Sequence, residues 1–234
     1  MFGKSKPVSA AHTLRTLATL LTYPSAELRS FLPQMRDVLK TEKVLSQARL
    51  NELDALLAAL AKRDDLENEA EYVSLFDRGR ATSLHLFEHV HGDSRDRGPA
   101  MIDLAQTYEK AGLFLAEGEL PDYLPVMLEF VSTQPPAEAQ AFLSEMAHIF
   151  NAIFGALQSH QSPYAAVLGA LLELAGEKPQ AVKLPADEDL DESWAEPPVF
   201  DGCSTKGQAK PGQEQPVHIV RRNNPAPSHQ GATP

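Results

Sequence analysis

The sequence predicts an all-α fold: a single globular helical bundle of about nine helices over 1–176, followed by a disordered acidic, proline-rich tail over 177–234. Three observations predict it. Apolar positions recur with the helical period through most of 1–176, as a helix with one buried face requires. No segment alternates polar and apolar residues long enough to form a half-buried strand. Hydrophobic residues make up 43% of the 234, enough to fill one sizeable core.

The first helix is predicted over 9–22, with Leu14, Leu17, Leu20 and Leu21 on one stripe. Pro24 ends it and keeps Tyr23 out of the helical region. Ser25 is placed to cap a second helix whose apolar face is Leu28, Phe31, Leu32, Met35, Val38 and Leu39. Pro33 lies inside that stretch and predicts a kink or a break. A third helix is expected over 43–62, carrying Leu45, Leu53, Leu56, Leu57 and Leu60. A fourth, over 65–77, opens with Asp64, Asp65 and Glu67 at the positive end of its dipole and turns Val73 and Phe76 inward. A short helix follows within 83–91 and stops at Gly92. Asp93 or Ser94 is the expected cap of the next helix, which runs to Gly112 with Met101, Leu104, Ala105, Tyr108 and Ala111 on its stripe. Pro121 is expected in the first turn of a helix through 132, with Asp122 near its positive end. The longest helix is predicted over 136–159, burying Phe142, Leu143, Met146, Ile149, Phe150, Ile153, Phe154 and Leu157. The last, over 163–175, carries Val167, Leu168, Leu171 and Leu172, and Gly176 closes it. No self-similarity recurs at about 34 or 40 residues, which excludes a helical solenoid.

Composition changes at 177. The 58 residues from there hold 9 of the 18 prolines, and only 8 are Leu, Ile, Val or Phe. So few apolar groups cannot offset the entropy of ordering the segment. Within it, 187–201 carries seven acids and no base, with Leu190, Trp194, Val199 and Phe200 interspersed. That stretch reads either as a solvated linker or as a docking motif.

Charge and motifs narrow the function. The chain has 32 acidic and 21 basic residues, a net charge of −11, and 1–176 alone holds 23 acidic and 15 basic residues, a charge of −8. Such a body repels phosphate backbones, so no nucleic acid is expected, and a cationic partner is favoured. Cys203 is the sole cysteine, which excludes an intrachain disulfide and a Cys-rich metal site. No apolar run reaches the ~18–20 residues that span a bilayer. The N-terminus lacks the long apolar stretch of a secretory signal, so the expectation is a cytoplasmic protein without membrane insertion. There is no glycine-rich phosphate loop and no nucleophile elbow. No catalytic residue is assigned, and the chain reads as a non-enzyme with no cofactor. His85 and His89 share a helix face with zinc-compatible spacing, but a third ligand is not at hand, so no metal is expected. A metal-dependent helical enzyme built on those two histidines is the alternative from a different class.

Residues 71–104 mix aromatic residues, histidines, four arginines and several acids while apolar positions continue through them. On composition two readings stand equal: a core seam flanked by surface ion pairs, or a groove for an extended or helical peptide.

The run YVSLFDRGRATSLHLFEHVHGDSRDRGPAMIDLAQTYEKAGL (72–113), followed by ELPDYLPVMLEF (119–130), closely resembles the nitrate reductase molybdenum cofactor assembly chaperones of the NarJ or delta-subunit type. These belong to the wider all-helical, TorD/DmsD-like redox enzyme maturation chaperones. LTYPS (21–25) and DESWAEPPVF (191–200) also match, and the resemblance spans roughly 9–200. It implies a chaperone that binds the N-terminal segment of the catalytic alpha subunit of respiratory nitrate reductase, a relic of a twin-arginine signal. Such a chaperone keeps the apoenzyme competent for molybdenum cofactor insertion and membrane docking, and is absent from the final enzyme. Molybdenum cofactor delivery proteins are further candidate partners. A chaperone for another molybdoenzyme, such as a trimethylamine-oxide or dimethyl-sulfoxide reductase, is the sibling alternative; the full SLHLFEHVHGDSRDRG match speaks against it.

For such a peptide the expected apolar contacts are Tyr72, Phe76, Leu84, Phe87, Tyr123, Leu124 and Leu128, and the expected charge partners are Asp77, Glu88, Asp122 and Glu129; Phe76 and Phe87 read also as plain core, and Asp122 equally as a helix-dipole contact. His85, His89 and His91 crowd the same stretch, and imidazoles with ordinary pKa values near ~6.5 would make affinity change between about pH 6 and 8. Arg78, Arg80 and Arg95 are expected to fix the loop between helices through local carboxylates.

Overall fold

The computed structural model describes residues 9–92 and 94–180. Among these residues there are ten α-helices and no named strand. The expected tail, with its segment 187–201, lies outside the described residues apart from 177–180.

Helix α1 spans Ala11–Leu20 and buries Leu14, Leu17 and Leu20, as its stripe predicts. Ser25 caps α2 (Ala26–Ser30): its hydroxyl accepts from the Leu28 amide at 3.2 Å. Pro33 breaks the predicted second helix, so α3 (Leu32–Glu42) starts afresh with that proline in its first turn. This break accounts for ten helices where about nine are predicted. Lys43 then takes a left-handed conformation (φ 55°), and α4 (Gln47–Lys62) begins only after Ser46, whose hydroxyl accepts from the Arg49 amide. The predicted start at 43 fails because that residue terminates α3. Asp64 caps α5 (Asp65–Tyr72), accepting from the Glu67 amide at 2.8 Å. The chain then widens into one π-helical turn, Val73–Asp77, and passes through a 3-10 turn, Arg80–Thr82.

Helix α6 is short (Leu86–Val90) and ends near Gly92, whose φ of 52° is left-handed. Helix α7 (Arg97–Lys110) starts later than predicted. Ser94 belongs to the turn before it, its hydroxyl accepting from the Asp96 amide, and Asp93 lies outside the described residues. Of the predicted α7 stripe only Tyr108 is buried, while Ala111 is exposed, because α7 lies at the edge of the bundle. Helix α8 (Leu124–Ser132) has Pro125, not Pro121, in its first turn. Helices α9 (Pro136–Ser159) and α10 (Ala165–Ala175) match their predicted spans closely, and Gly176 closes α10 at φ 82°.

The core runs through α9 against α10, α10 against α4, α4 against α3, α3 against α1 and α1 against α8. Leu17, Leu53, Leu56, Phe150, Ile153 and Leu171 are completely buried in it. Each such side chain contributes about 1.5–3 kcal/mol relative to exposure. The Glu173 carboxylate of α10 accepts from both the amide and the hydroxyl of Ser46, tying α10 to the start of α4.

One glycine fixes the approach to α6. Thr82 donates its hydroxyl to the Leu75 carbonyl of the π turn, and a Cβ on Gly79 would collide with both groups. Gly79→Ala is therefore expected to cost about 1–3 kcal/mol, as overpacking does, read as a lower urea midpoint with an unchanged slope.

Candidate functional site

Two distant segments meet by backbone pairing. The Leu86 amide donates to the Asp122 carbonyl at 3.0 Å, and the Leu124 amide donates to the Leu84 carbonyl at 2.8 Å. His85 and Tyr123 form an isolated antiparallel bridge between them, with ring centroids 5.3 Å apart. The turn before α8 is thereby laid along the entry to α6.

Asp122 is the centre of this junction and is fully buried. A buried carboxylate needs donors on both oxygens. Its Oδ2 accepts from the Phe87 amide at 3.2 Å, and its Oδ1 lies 3.4 Å from His85 Nδ1. Arg97, from the first turn of α7, places Nη2 3.7 Å from Asp122 Oδ2 and 3.4 Å from Glu88 Oε1. Ser83 donates its hydroxyl to Glu88 Oε2 at 2.6 Å, and His89 Nε2 donates to the Ser83 carbonyl at 2.9 Å. The hydrogen bond to Asp122 raises the His85 pKa above its ordinary value, against burial, which pushes the other way. Beside this network Tyr72 donates its hydroxyl to the Leu21 carbonyl at 2.9 Å, and the Tyr123 hydroxyl reaches the same carbonyl at 3.4 Å. The two hydroxyls are 3.2 Å apart. Burial pushes both phenols up, so they remain neutral donors near pH 7.

The structure brings the predicted residues together, but differently from a groove. Tyr72, Phe76, Leu84, Leu124 and Leu128 are core residues. Tyr72 and Phe76 close an aromatic cluster with Tyr164, with Phe76 5.1 Å from Tyr164 edge to face. Leu124 and Leu128 lie on the buried face of α8, the helix that packs on α1. Asp122 is sealed in the junction and does not face solvent as a peptide partner would. Phe87, His85, His89, His91, Glu88 and Tyr123 are half-buried, with Phe87 edge-on to His91 at 5.4 Å. Asp77 and Glu129 are exposed. Arg78, Arg80 and Arg95 are exposed as well, and the arginine that ties the loop to Glu88 and Asp122 is Arg97. Arg97 and Ser83 went unassigned in the sequence because nothing local distinguishes them from surface residues. The one signal was an acid set between two prolines in LPDYLP.

A separate cleft of about 470 Å³ opens between α1, α8 and the loop that joins α7 to α8. Tyr108 and Phe130 form part of its floor, their rings 4.8 Å apart. Glu119 and Glu129 stand beside it, and Phe114 is 79% exposed at its edge. Among the described residues no three His, Cys, Asp or Glu side chains converge where they could hold a metal ion, and no helix is long and apolar enough to cross a membrane.

The helical bundle has the fold of a redox enzyme maturation protein. It is similar to a crystal structure so described from Archaeoglobus fulgidus, with a TM-score of 0.53 and 20% identity over 76% of this chain and 98% of that one. The chain belongs to the nitrate reductase delta subunit family, whose model matches residues 23–169. It is 40% identical over 197 residues to the nitrate reductase molybdenum cofactor assembly chaperone NarJ of Escherichia coli strain K12, covering 83% of this chain and 82% of NarJ. It is 51% identical over 111 residues to NarW of the same strain, also named for nitrate reductase molybdenum cofactor assembly, covering 47% of this chain and 48% of NarW.

Proposed function

We propose that this chain is a cytoplasmic, non-enzymatic assembly chaperone dedicated to a respiratory nitrate reductase. It binds the N-terminal segment of the catalytic alpha subunit and keeps the apoenzyme open to molybdenum cofactor insertion and membrane docking. It then leaves before the enzyme is complete. The observation that carries this reading is the likeness to NarJ, which runs over more than four fifths of both chains. The charge of the body supports it: a basic, amphipathic client segment approaches a domain of −8 along a favourable field. Molybdenum cofactor delivery proteins act on the same complex.

Titration of the purified chain with a synthetic peptide from the alpha subunit's N-terminus tests the reading by calorimetry. Binding at micromolar affinity or better is expected, weakening as salt screens the charges. Absence of heat at low salt would overturn it.

A further inference from the structure

We propose that the cleft between α1, α8 and the 111–120 loop is the docking site for a basic amphipathic client segment, with one apolar side chain seated on its floor and flanking arginines or lysines on its rim. This inference rests on the chaperone reading above and gives it a location away from the 71–104 stretch, for which composition leaves a peptide groove and a core seam equally open.

Four observations converge on this cleft. First, its floor is apolar: Tyr108, Val126 and Phe130 line it beneath Leu113 and Leu115. Its volume of about 470 Å³ falls within the range of built ligand sites. Second, Phe114 is the most exposed large hydrophobic residue of the described chain, at 79%. A ring left in water at the mouth of an apolar slot is stabilised when a partner covers it. Third, the loop that presents Phe114 is braced. Gly112 and Gly118 turn it at φ values of 80° and 88°, the Leu113 amide donates to the Tyr108 carbonyl at 3.0 Å, and Glu119 Oε2 accepts from the Ala116 amide at 3.0 Å. The ring is thus held out on a defined turn. Fourth, the rim is acidic. Glu119 and Glu129 are both exposed and line the cleft, and Glu117 is exposed on the same loop. The one basic side chain lining it, Arg15, has its Nε turned to the Ser132 hydroxyl at 3.0 Å.

An apolar slot between carboxylates selects a cationic, amphipathic segment and rejects an acidic one. By contrast, five of the seven apolar residues expected as peptide contacts from the family resemblance are already buried by the bundle itself. They have no surface left to give a guest.

The full chain is titrated with the client's N-terminal peptide, alongside three variants at exposed positions: Phe114→Ser, the double change Glu119→Lys with Glu129→Lys, and Glu145→Lys on α9 as a control outside the cleft. Thermal melts establish that each variant is folded. The expected result is about a tenfold or greater loss of affinity for Phe114→Ser and for the double variant, with Glu145→Lys within about twofold of the parent. A peptide with its arginines changed to glutamine is expected to lose affinity for the parent and to lose little further for the double variant. Equal binding by parent and cleft variants overturns the cleft and leaves the chaperone reading standing. No binding by the parent overturns both. Concentration-dependent dimerisation abolished by Phe114→Ser, with peptide affinity unchanged, would assign the cleft to a second copy of this chain and overturn the proposal.

Discussion

Asp122→Ala lowers the stability of the folded chain by about 3–5 kcal/mol, the cost of stranding the charged partners of a buried carboxylate. The residue is fully buried and meets the Phe87 amide, His85 and Arg97 at once. Asp122→Asn keeps the shape and isolates the charge, which makes the effect depend on pH. Folding raises the His85 pKa, first through its hydrogen bond to Asp122, with Glu88 adding to it and Arg97 opposing it. The folded state therefore holds that proton more tightly than the unfolded chain does. The stability so gained is present in full below the unfolded imidazole value of ~6.5 and is lost as pH rises through the higher folded value. Urea melts of the parent and of Asp122→Asn should accordingly differ most on the acid side, the gap narrowing, as pH rises, to the part that Arg97 maintains. A gap of constant size through that rise would show that His85 gains nothing from the carboxylate.

Leu128→Ala is expected to cost about 2–5 kcal/mol, since it empties a fully buried position between α8 and the core. The molecules that remain folded should keep their affinity for the client peptide. Phe114→Ser should do the reverse, leaving the melt within about 0.5 kcal/mol of the parent, as exposed substitutions do, while weakening the peptide. Measuring both quantities for both variants separates a core residue from a contact residue. If Leu128→Ala lost the peptide while its melting temperature stayed put, the groove expected from the family resemblance would be real and the buried placement of α8 would be wrong.

The contrast shows what the sequence made legible. Helix spans were readable wherever the apolar period was unbroken, as in α9 and α10, whose predicted and observed limits differ by a residue or two. They were misread where a local backbone event interrupts the period: the left-handed Lys43, the π turn at Val73–Asp77, and Pro121, which lies in a turn. The site was harder. Tyr72, Leu124 and Leu128 read as contacts because they stand in the runs that carry the family resemblance, yet period and polarity cannot say which neighbour covers a given face; Phe76, which the helical period turns inward, is buried. Arg97 is invisible in the sequence because its partners, Glu88 and Asp122, are 9 and 25 positions away and are brought together beside the His85–Tyr123 pairing only in the fold. Phe114 carries no motif at all, and its exposure emerges only from the fold.

Tyr72 and Tyr123 share one acceptor, the carbonyl of Leu21, across separations of 51 and 102 residues. No nascent chain can complete that joint until Tyr123 has left the ribosome, by which point α1 to α7 have already been made. Contacts this distant in sequence slow folding because the intervening loop must be closed before they return any energy. The tyrosine joint therefore ties the end of α1 to the segments that lead out of α5 and into α8, and it is open only to a chain made past Tyr123.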